Sequence, residues 1–312
     1  MRTSIRLLAA LGLAALLSAC AGTPTAPTQA ELPDDLSKRH LLADVPFYAQ
    51  DEYQCGPAAL AMMLNQRDIK ATPEALKERV YIPARQGSLQ VEMVAAARDQ
   101  GLLVYPLEPE LQAILREVDA GNPVLVMQNL AFNWYPQWHY AVVIGYDLVA
   151  QQLILHSGLQ EQQHEPFTLF LHTWQRADNW ARVMLPPDQL PATAKPLPYL
   201  RAANDLEQTG KLEPAKQAYQ TALIRWPEEP AARLGLGNVA WQQGDKSIAI
   251  AHFSELTRQF PSLDAGWSNL ITGLNEMGCT QAAEVAQHCA DQRSMDAAKN
   301  GKNAACPLPV CP

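Results

Sequence analysis

Residues 54–60 read Gln-Cys-Gly-Pro-Ala-Ala-Leu, and four more apolar residues follow directly. Pro57 is tolerated only in the first turn of a helix, and the long apolar run after it is typical of a buried helix. The sequence therefore predicts a core helix over residues 56–66 with Cys55 at its N-terminus. Because the N–H groups of a helix N-terminus favour a thiolate, we expect a lowered pKa for Cys55. Gly56 is expected to let a substrate backbone come close.

A histidine lies at the start of a second apolar stretch. His139 precedes residues 141–145, Ala-Val-Val-Ile-Gly, which predict a central strand. A cysteine at the start of a helix and a histidine on a strand form the general arrangement of a thiol–imidazole pair. We therefore expect Cys55 and His139 to act together.

Helical patterns precede strand patterns along this half of the chain. Thr72 and Pro73 form a helix start, with Thr72 as the N-cap. Further helices are predicted over 89–100 and 108–120, and strands over 45–48, 104–106, 124–128, 139–145 and 152–156. This order predicts an α+β domain with an antiparallel sheet.

Four aromatic residues lie in the loop just before His139, namely Phe132, Trp134, Tyr135 and Trp138. Two interpretations are open. The rings form an apolar wall or lid over the substrate, or they pack onto the sheet.

These motifs resemble the papain-like cysteine peptidases of the double-glycine-leader, or bacteriocin-processing, type, and the resemblance covers residues 44–187. It implies an α+β papain-like fold over a domain of residues 40–187. It also implies that Gln50 donates to the oxyanion, Cys55 attacks the carbonyl carbon and His139 exchanges protons.

Two features differ from that family's pattern. Gln50 lies five residues before Cys55, where papain-like enzymes usually show six. The family has an Asp-Pro pair after the histidine strand, and residues 155–158 here read Leu-His-Ser-Gly. The third member of the site would then be His156 or Ser157, neither of which supplies the negative charge that stabilises an imidazolium.

The N-terminus has the pattern of a signal peptide. Arg2 and Arg6 precede an apolar stretch over 7–17 that is too short to span a bilayer. Residues 17–20, Leu-Ser-Ala-Cys, resemble a bacterial lipobox, which implies a signal peptide over 1–19 and a lipid on Cys20. The alternative is a plain secretory signal with an incidental cysteine.

The residues after Cys20 are rich in Thr, Pro and Ala, which predicts a flexible tether over 20–39. By the same resemblance, Ala21 rather than Asp after the cysteine indicates the outer membrane. We expect a lipid-anchored protein that faces the periplasm of a bacterial envelope.

A 34-residue period follows a Pro-rich linker over 188–197. Glycines at 210, 244 and 278 share this spacing, and so do alanines at 215, 249 and 283. The pattern resembles the tetratricopeptide repeat, an all-α helical hairpin. Three units are predicted, over 198–227, 229–261 and 263–294. Stacked repeats present a concave face, on which we expect a protein partner or a peptide substrate.

Four cysteines remain after Cys20 and Cys55, namely Cys279, Cys289, Cys306 and Cys311. In an oxidising compartment they are expected to form two disulfides. Ten residues along a helix span about 15 Å, too far for Cys279 to reach Cys289. Each is therefore expected to pair with Cys306 or Cys311, so that residues 295–312 cap the last repeat.

Composition narrows the function further. A net charge of −8 gives no basic surface for nucleic acid. No zinc-ligand spacing or Gly-rich phosphate loop is present in the sequence, so we expect neither a metal nor a cofactor. The sequence predicts a cysteine peptidase whose repeats recruit its substrate or a partner. The alternative is an inactive relative that binds peptides as a scaffold, and transfer to an amine instead of water would use the same residues.

Overall fold

The computed structural model of the protein describes residues 32–50 and 54–298, with side chains described up to residue 292. The predicted signal peptide, the lipid site Cys20, and Cys306 and Cys311 lie outside the described residues. Lipid attachment and the two disulfides therefore stay predictions. No helix within the described ranges is long and apolar enough to cross a bilayer.

Five α-helices, one of them central, are present among the described residues of the first half of the chain. They are α1 (Cys55–Asn65), α2 (Pro73–Val80), α3 (Gln90–Asp99), α4 (Leu111–Asp119) and α5 (Phe167–Gln175). Every residue of α1 from Gly56 to Leu64 is buried, as the uninterrupted apolar run predicts. Helix α2 begins as expected, since Thr72 Oγ1 accepts the backbone N–H of Ala75 at 3.3 Å.

These helices pack on an antiparallel sheet of seven strands. The strands are β1 (Arg39–Leu41), β4 (Leu103–Pro106), β5 (Val124–Asn129), β6 (Trp138–Asp147), β7 (Gln152–Ser157), β8 (Gln160–Pro166) and β9 (Ala181–Leu185). Their order is β4-β9-β5-β6-β7-β8, with β1 paired to the end of β6. Two short strands, β2 (Tyr81–Ile82) and β3 (Gly87–Ser88), form a separate hairpin. The α+β architecture predicted from the sequence is confirmed.

The predicted start of the domain differs from the structure. Residues 45–48 form no strand, and the N-terminal strand is β1 instead. Residues of the predicted tether also pack on the domain: Leu32 is buried, and Asp35 pairs with Arg116 at 2.8 Å. The prediction of a flexible tether over 20–39 is therefore wrong from residue 32 onward, because these contacts hold the later residues to the domain.

The described residues from 196 to 298 form three helical hairpins. Their helices are α6 (Pro196–Gln208), α7 (Leu212–Arg225), α8 (Pro230–Gln243), α9 (Lys246–Gln259), α10 (Asp264–Glu276) and α11 (Thr280–Ala298). At the turn inside each hairpin, Gly210, Gly244 and Gly278 have φ angles of 75°, 88° and 77°. Only glycine adopts this conformation without strain, which explains the spacing seen in the sequence.

The linker fixes the repeats to the first domain. Glu117, fully buried, accepts the backbone N–H groups of Ala192 and Thr193 at 3.1 and 2.8 Å. One hydrophobic core runs from the first domain into the first repeats. Two ion pairs, Arg98–Asp205 and Lys211–Asp99, join the surfaces on either side. The repeats therefore hold a defined position relative to the sheet.

Candidate active site

Cys55 is the first residue of α1 and a free, partly buried thiol. The backbone N–H groups of Tyr140, Gly56 and Cys55 itself favour its thiolate. Burial acts in the opposite direction and is the larger effect, so the pKa of Cys55 is raised. The expected lowering of this pKa is wrong, because α1 lies so deep that the loss of solvent outweighs the helix N-terminus.

Gly56 has a different role from the one expected. A Cβ added at this position would lie 2.3 Å from Ser88 Oγ and 2.6 Å from Ser88 Cβ. Such distances are too short for real contacts, so the glycine is needed where β3 packs against α1. The space beside Gly56 is filled by this protein's own Ser88, and a substrate backbone does not use it.

His139 forms one hydrogen bond that bears directly on its chemistry. Its Nε2 lies 2.9 Å from Ser157 Oγ, across the β6–β7 pair. Burial lowers the pKa of His139 to about 4. With the pKa of Cys55 raised and that of His139 lowered, both groups are neutral at pH 7, so the resting site contains a thiol and an imidazole.

The structure distinguishes the two candidates for the third position. His156 is buried on the opposite face of β7, where its Nε2 lies 3.1 Å from the carbonyl oxygen of Val45. Its ring also packs against Phe47, with the centroids 5.2 Å apart. Since neighbouring residues on a strand point to opposite faces, only Ser157 lies beside His139. His156 holds residues 45–47 to the sheet.

Gln50 carries an available hydrogen-bond donor. Its side chain is 7% exposed, and its Nε2 has no hydrogen-bond partner among the described residues. Its backbone N–H donates to Gly158 at 3.1 Å, which ties it to the turn after Ser157. Gln50 and Gln54 line a cavity of about 310 Å³ beside the start of α1. A buried amide N–H without a partner is the kind of group that an oxyanion hole requires.

The hairpin that joins β5 to β6 ends in an exposed group of rings, which we call the aromatic tip: Phe132, Trp134, Tyr135 and Trp138. Their exposed fractions are 61%, 81%, 69% and 51%. Asn129 shapes the hairpin, since its Oδ1 accepts the backbone N–H groups of Ala131 and Gln137 at 3.1 and 3.0 Å. The rings face solvent beside His139, so the interpretation in which they pack onto the sheet is wrong.

Two segments of the chain match known families. Residues 42–181 match the Peptidase C39-like family, and residues 200–264 match the tetratricopeptide repeat. The chain contains a Peptidase C39-like domain followed by tetratricopeptide repeats. The matched repeat segment ends early in the third hairpin. None of the curated proteins matches the chain.

Solved structures that are similar to somewhat less than half of this chain include two peptidases. One is a putative C39-like peptidase from Bacillus anthracis, with 18% identity, a TM-score of 0.40, and coverage of 48% of this chain and 98% of that one. The other is a double glycine motif protease from an AMS/PCAT transporter in complex with the leader peptide. It has 21% identity, a TM-score of 0.35, and coverage of 45% and 89%.

No pattern in the sequence indicates the buried polar group that lies near His139 in the C39-like domain. Gln128 is the cross-strand partner of His139, and its Nε2 donates to Glu165 at 2.9 Å and to Thr173 at 2.7 Å. Because cross-strand partners share a face, this set lies on the side of the sheet that carries His139. The placement of Gln128 on the same face as His139 is visible only from the register of β5 with β6. Within residues 32–50 and 54–298, no three His, Cys, Asp or Glu side chains come together as metal ligands.

Proposed function

We propose that the C39-like domain hydrolyses peptide bonds through Cys55 and His139. The observation that carries this proposal is the free thiol of Cys55, whose thiolate is favoured by the backbone N–H of Tyr140, the residue next to His139. Helix α1, which begins at Cys55, packs against β6, the strand that carries His139, although 84 residues of sequence separate 55 from 139.

The hydrogen bond to Ser157 suggests which imidazole nitrogen acts. If Nε2–H of His139 donates to Ser157, Nδ1 is unprotonated and takes the thiol proton as sulfur attacks the carbonyl carbon. The C–N bond then breaks, and the amine leaves with the proton from Nδ1. Water, deprotonated by the same nitrogen, hydrolyses the thioester and regenerates the thiol.

The developing oxyanion needs donors that are already in place. Gln50 Nε2 and the backbone N–H of Cys55 are the groups proposed for this role. Since Gln50 Nε2 has no partner among the described residues, it can turn toward the substrate without breaking a hydrogen bond.

The substrate is proposed to lie against the aromatic tip. Residues 129–138 carry no charged side chain, so the tip suits an uncharged, apolar segment of a peptide. The repeats are proposed to recruit the same substrate or a partner, which raises its concentration at the site. We further propose that the protein acts in the periplasm, held at the outer membrane by a lipid on Cys20.

One alternative has an observation in its favour. Ser157 stands where a carboxylate would stabilise the imidazolium, and the raised pKa of Cys55 disfavours the thiolate. A protein that binds peptides without cleaving them would show both features.

A peptide-based probe that alkylates thiols tests the proposal. The protein should be labelled at Cys55, as mapped by mass spectrometry, and the labelling rate should fall at least tenfold in His139→Ala. His164→Ala is the matched control, because His164 lies exposed on β8 and contacts Gln152 at 3.2 Å. An unchanged rate in His139→Ala would favour the binding protein.

A further inference from the structure

The groove of the repeats contains a cavity of about 350 Å³, which we call the repeat cavity. Residues of α6, α8 and α10 line it, among them Glu207, Asn238, Trp241, Gln242, Asn269 and Thr272. Its size lies within the range of sites that hold a side chain or a small ligand. The lining contains several amides and one carboxylate.

The carboxylate belongs to Glu207, which is only 3% exposed. Its Oε2 accepts the hydroxyl of Tyr219 at 2.8 Å, and its Oε1 accepts Nε2 of Gln242 at 3.0 Å. Both donors are neutral, and no basic side chain within the described residues forms an ion pair with Glu207. Burial accordingly raises the pKa of Glu207. A carboxylate accepts about four hydrogen bonds, so roughly half of its capacity remains open.

The surroundings of Glu207 are shaped by a glycine. A Cβ at Gly235 would lie 2.3 Å from Cζ of Tyr219, so only glycine lets the phenol ring pass between the helices to reach Glu207. On the other side of the cavity, Asn269 Nδ2 donates to Asn238 Oδ1 at 3.0 Å, which fixes both amides.

A lysine near this wall, Lys246, has its own contacts. Lys246 Nζ lies 4.9 Å from the centre of the Trp241 ring and 3.9 Å from Glu276. Lys246 therefore contacts Trp241 and Glu276, and both donors to the buried carboxylate of Glu207 are neutral.

We propose that the repeat cavity binds the cationic side chain of a lysine or arginine in a peptide segment that lies along the groove. Glu207 supplies the opposite charge, and the amide oxygens of Asn238 and Gln242 are further acceptors for the N–H groups of the cation. This inference deepens the recruiting role proposed above by naming the chemistry that the repeats select. It does not depend on catalysis.

Binding is best measured on a full chain that carries Cys55→Ala, which prevents turnover. The probes are a pentapeptide with a central lysine, acetylated at its N-terminus and amidated at its C-terminus, and the same peptide with norleucine. Titration is followed by NMR of the Trp241 indole and of the Asn238, Gln242 and Asn269 side-chain amides. The lysine peptide should bind at least tenfold more tightly than the norleucine peptide.

Two variants separate the buried charge from general electrostatics. Glu207→Gln keeps the size of the side chain and should weaken lysine-peptide binding at least tenfold. Glu276→Gln removes an exposed carboxylate from α10, a helix that lines the cavity, and should change lysine-peptide binding less than twofold. Thr272→Lys places an ammonium group at the cavity and should block the probe, which keeps the proposal testable if Glu207→Gln unfolds.

Equal affinity for the lysine and norleucine peptides would overturn the proposal, and so would unchanged binding in both Glu207→Gln and Thr272→Lys. Because Cys55 is absent from the assay, such a result would leave the proposed hydrolysis untouched. Normal binding of the lysine peptide by a protein that does not hydrolyse peptides would contradict the proposed hydrolysis and leave the binding proposal intact.

Discussion

Replacing Ser157 with Asp tests how the site works without a carboxylate. Ser157 Oγ lies 2.9 Å from His139 Nε2, so an aspartate here places a negative charge in direct contact with the imidazole. An opposite charge at this range raises the proton affinity of an imidazole about 10- to 1000-fold. The imidazolium is then stabilised by about 1.4 to 4 kcal/mol.

The consequence for reactivity follows from the neutral resting pair. Attack by Cys55 transfers a proton to His139, whose pKa of about 4 makes that transfer unfavourable at pH 7. If the transition state contains the full imidazolium charge, Ser157→Asp should speed labelling of Cys55 by the peptide probe about 10- to 1000-fold. The pKa of His139, followed by NMR, should rise in the same variant.

Gln160→Asp is the matched control. Gln160 is exposed and pairs with Ser157 across the β7–β8 hairpin. An aspartate at position 160 therefore adds the same charge without direct contact with the His139 imidazole. We expect a change below about threefold, because solvent screens an exposed charge. A folded Ser157→Asp variant with an unchanged His139 pKa and an unchanged labelling rate would refute the reasoning.

Three further predictions concern stability, pH and substrate contact. Gly56→Ala should lower the free energy of unfolding in urea by about 1 to 3 kcal/mol through the clash with Ser88, and Ser88→Gly should restore part of it. His139 has a pKa of about 4 when folded and about 6.5 when unfolded, so the unfolded chain binds more protons between these values. Stability should therefore fall as the pH is lowered from about 6.5 to 4, by at most about 3 kcal/mol, and His139→Gln should lack this part of the fall. Trp134→Ala should slow probe labelling about fivefold without changing the melting temperature, whereas Val149→Ala, at a position that is also highly exposed, should change neither.

Much of the fold could be predicted from local patterns. The apolar run after Pro57 identified α1 to within one residue at each end, and Thr72 marked the start of α2. The 34-residue spacing identified the three helical hairpins because a left-handed turn needs glycine at the same place each time. Strand β8 went unpredicted, since its mostly exposed polar residues show no apolar alternation.

The details of the site depend on tertiary contacts that a sequence pattern does not contain. The choice between His156 and Ser157 follows from which face of β7 meets His139. The direction of the Cys55 pKa follows from how deeply α1 is buried, which is a property of the whole domain. The role of Gly56 is visible only once β3 brings Ser88 against α1.

The most direct test of the account is hydrolysis itself, measured by mass spectrometry on a library of capped peptides incubated in ¹⁸O-labelled water. We predict new peptide ends with the unaltered protein, none with Cys55→Ser, and one ¹⁸O atom in each new carboxylate. Intact peptides after incubation with a protein whose Cys55 is still labelled by the probe would contradict peptide-bond hydrolysis and leave a protein that only binds peptides.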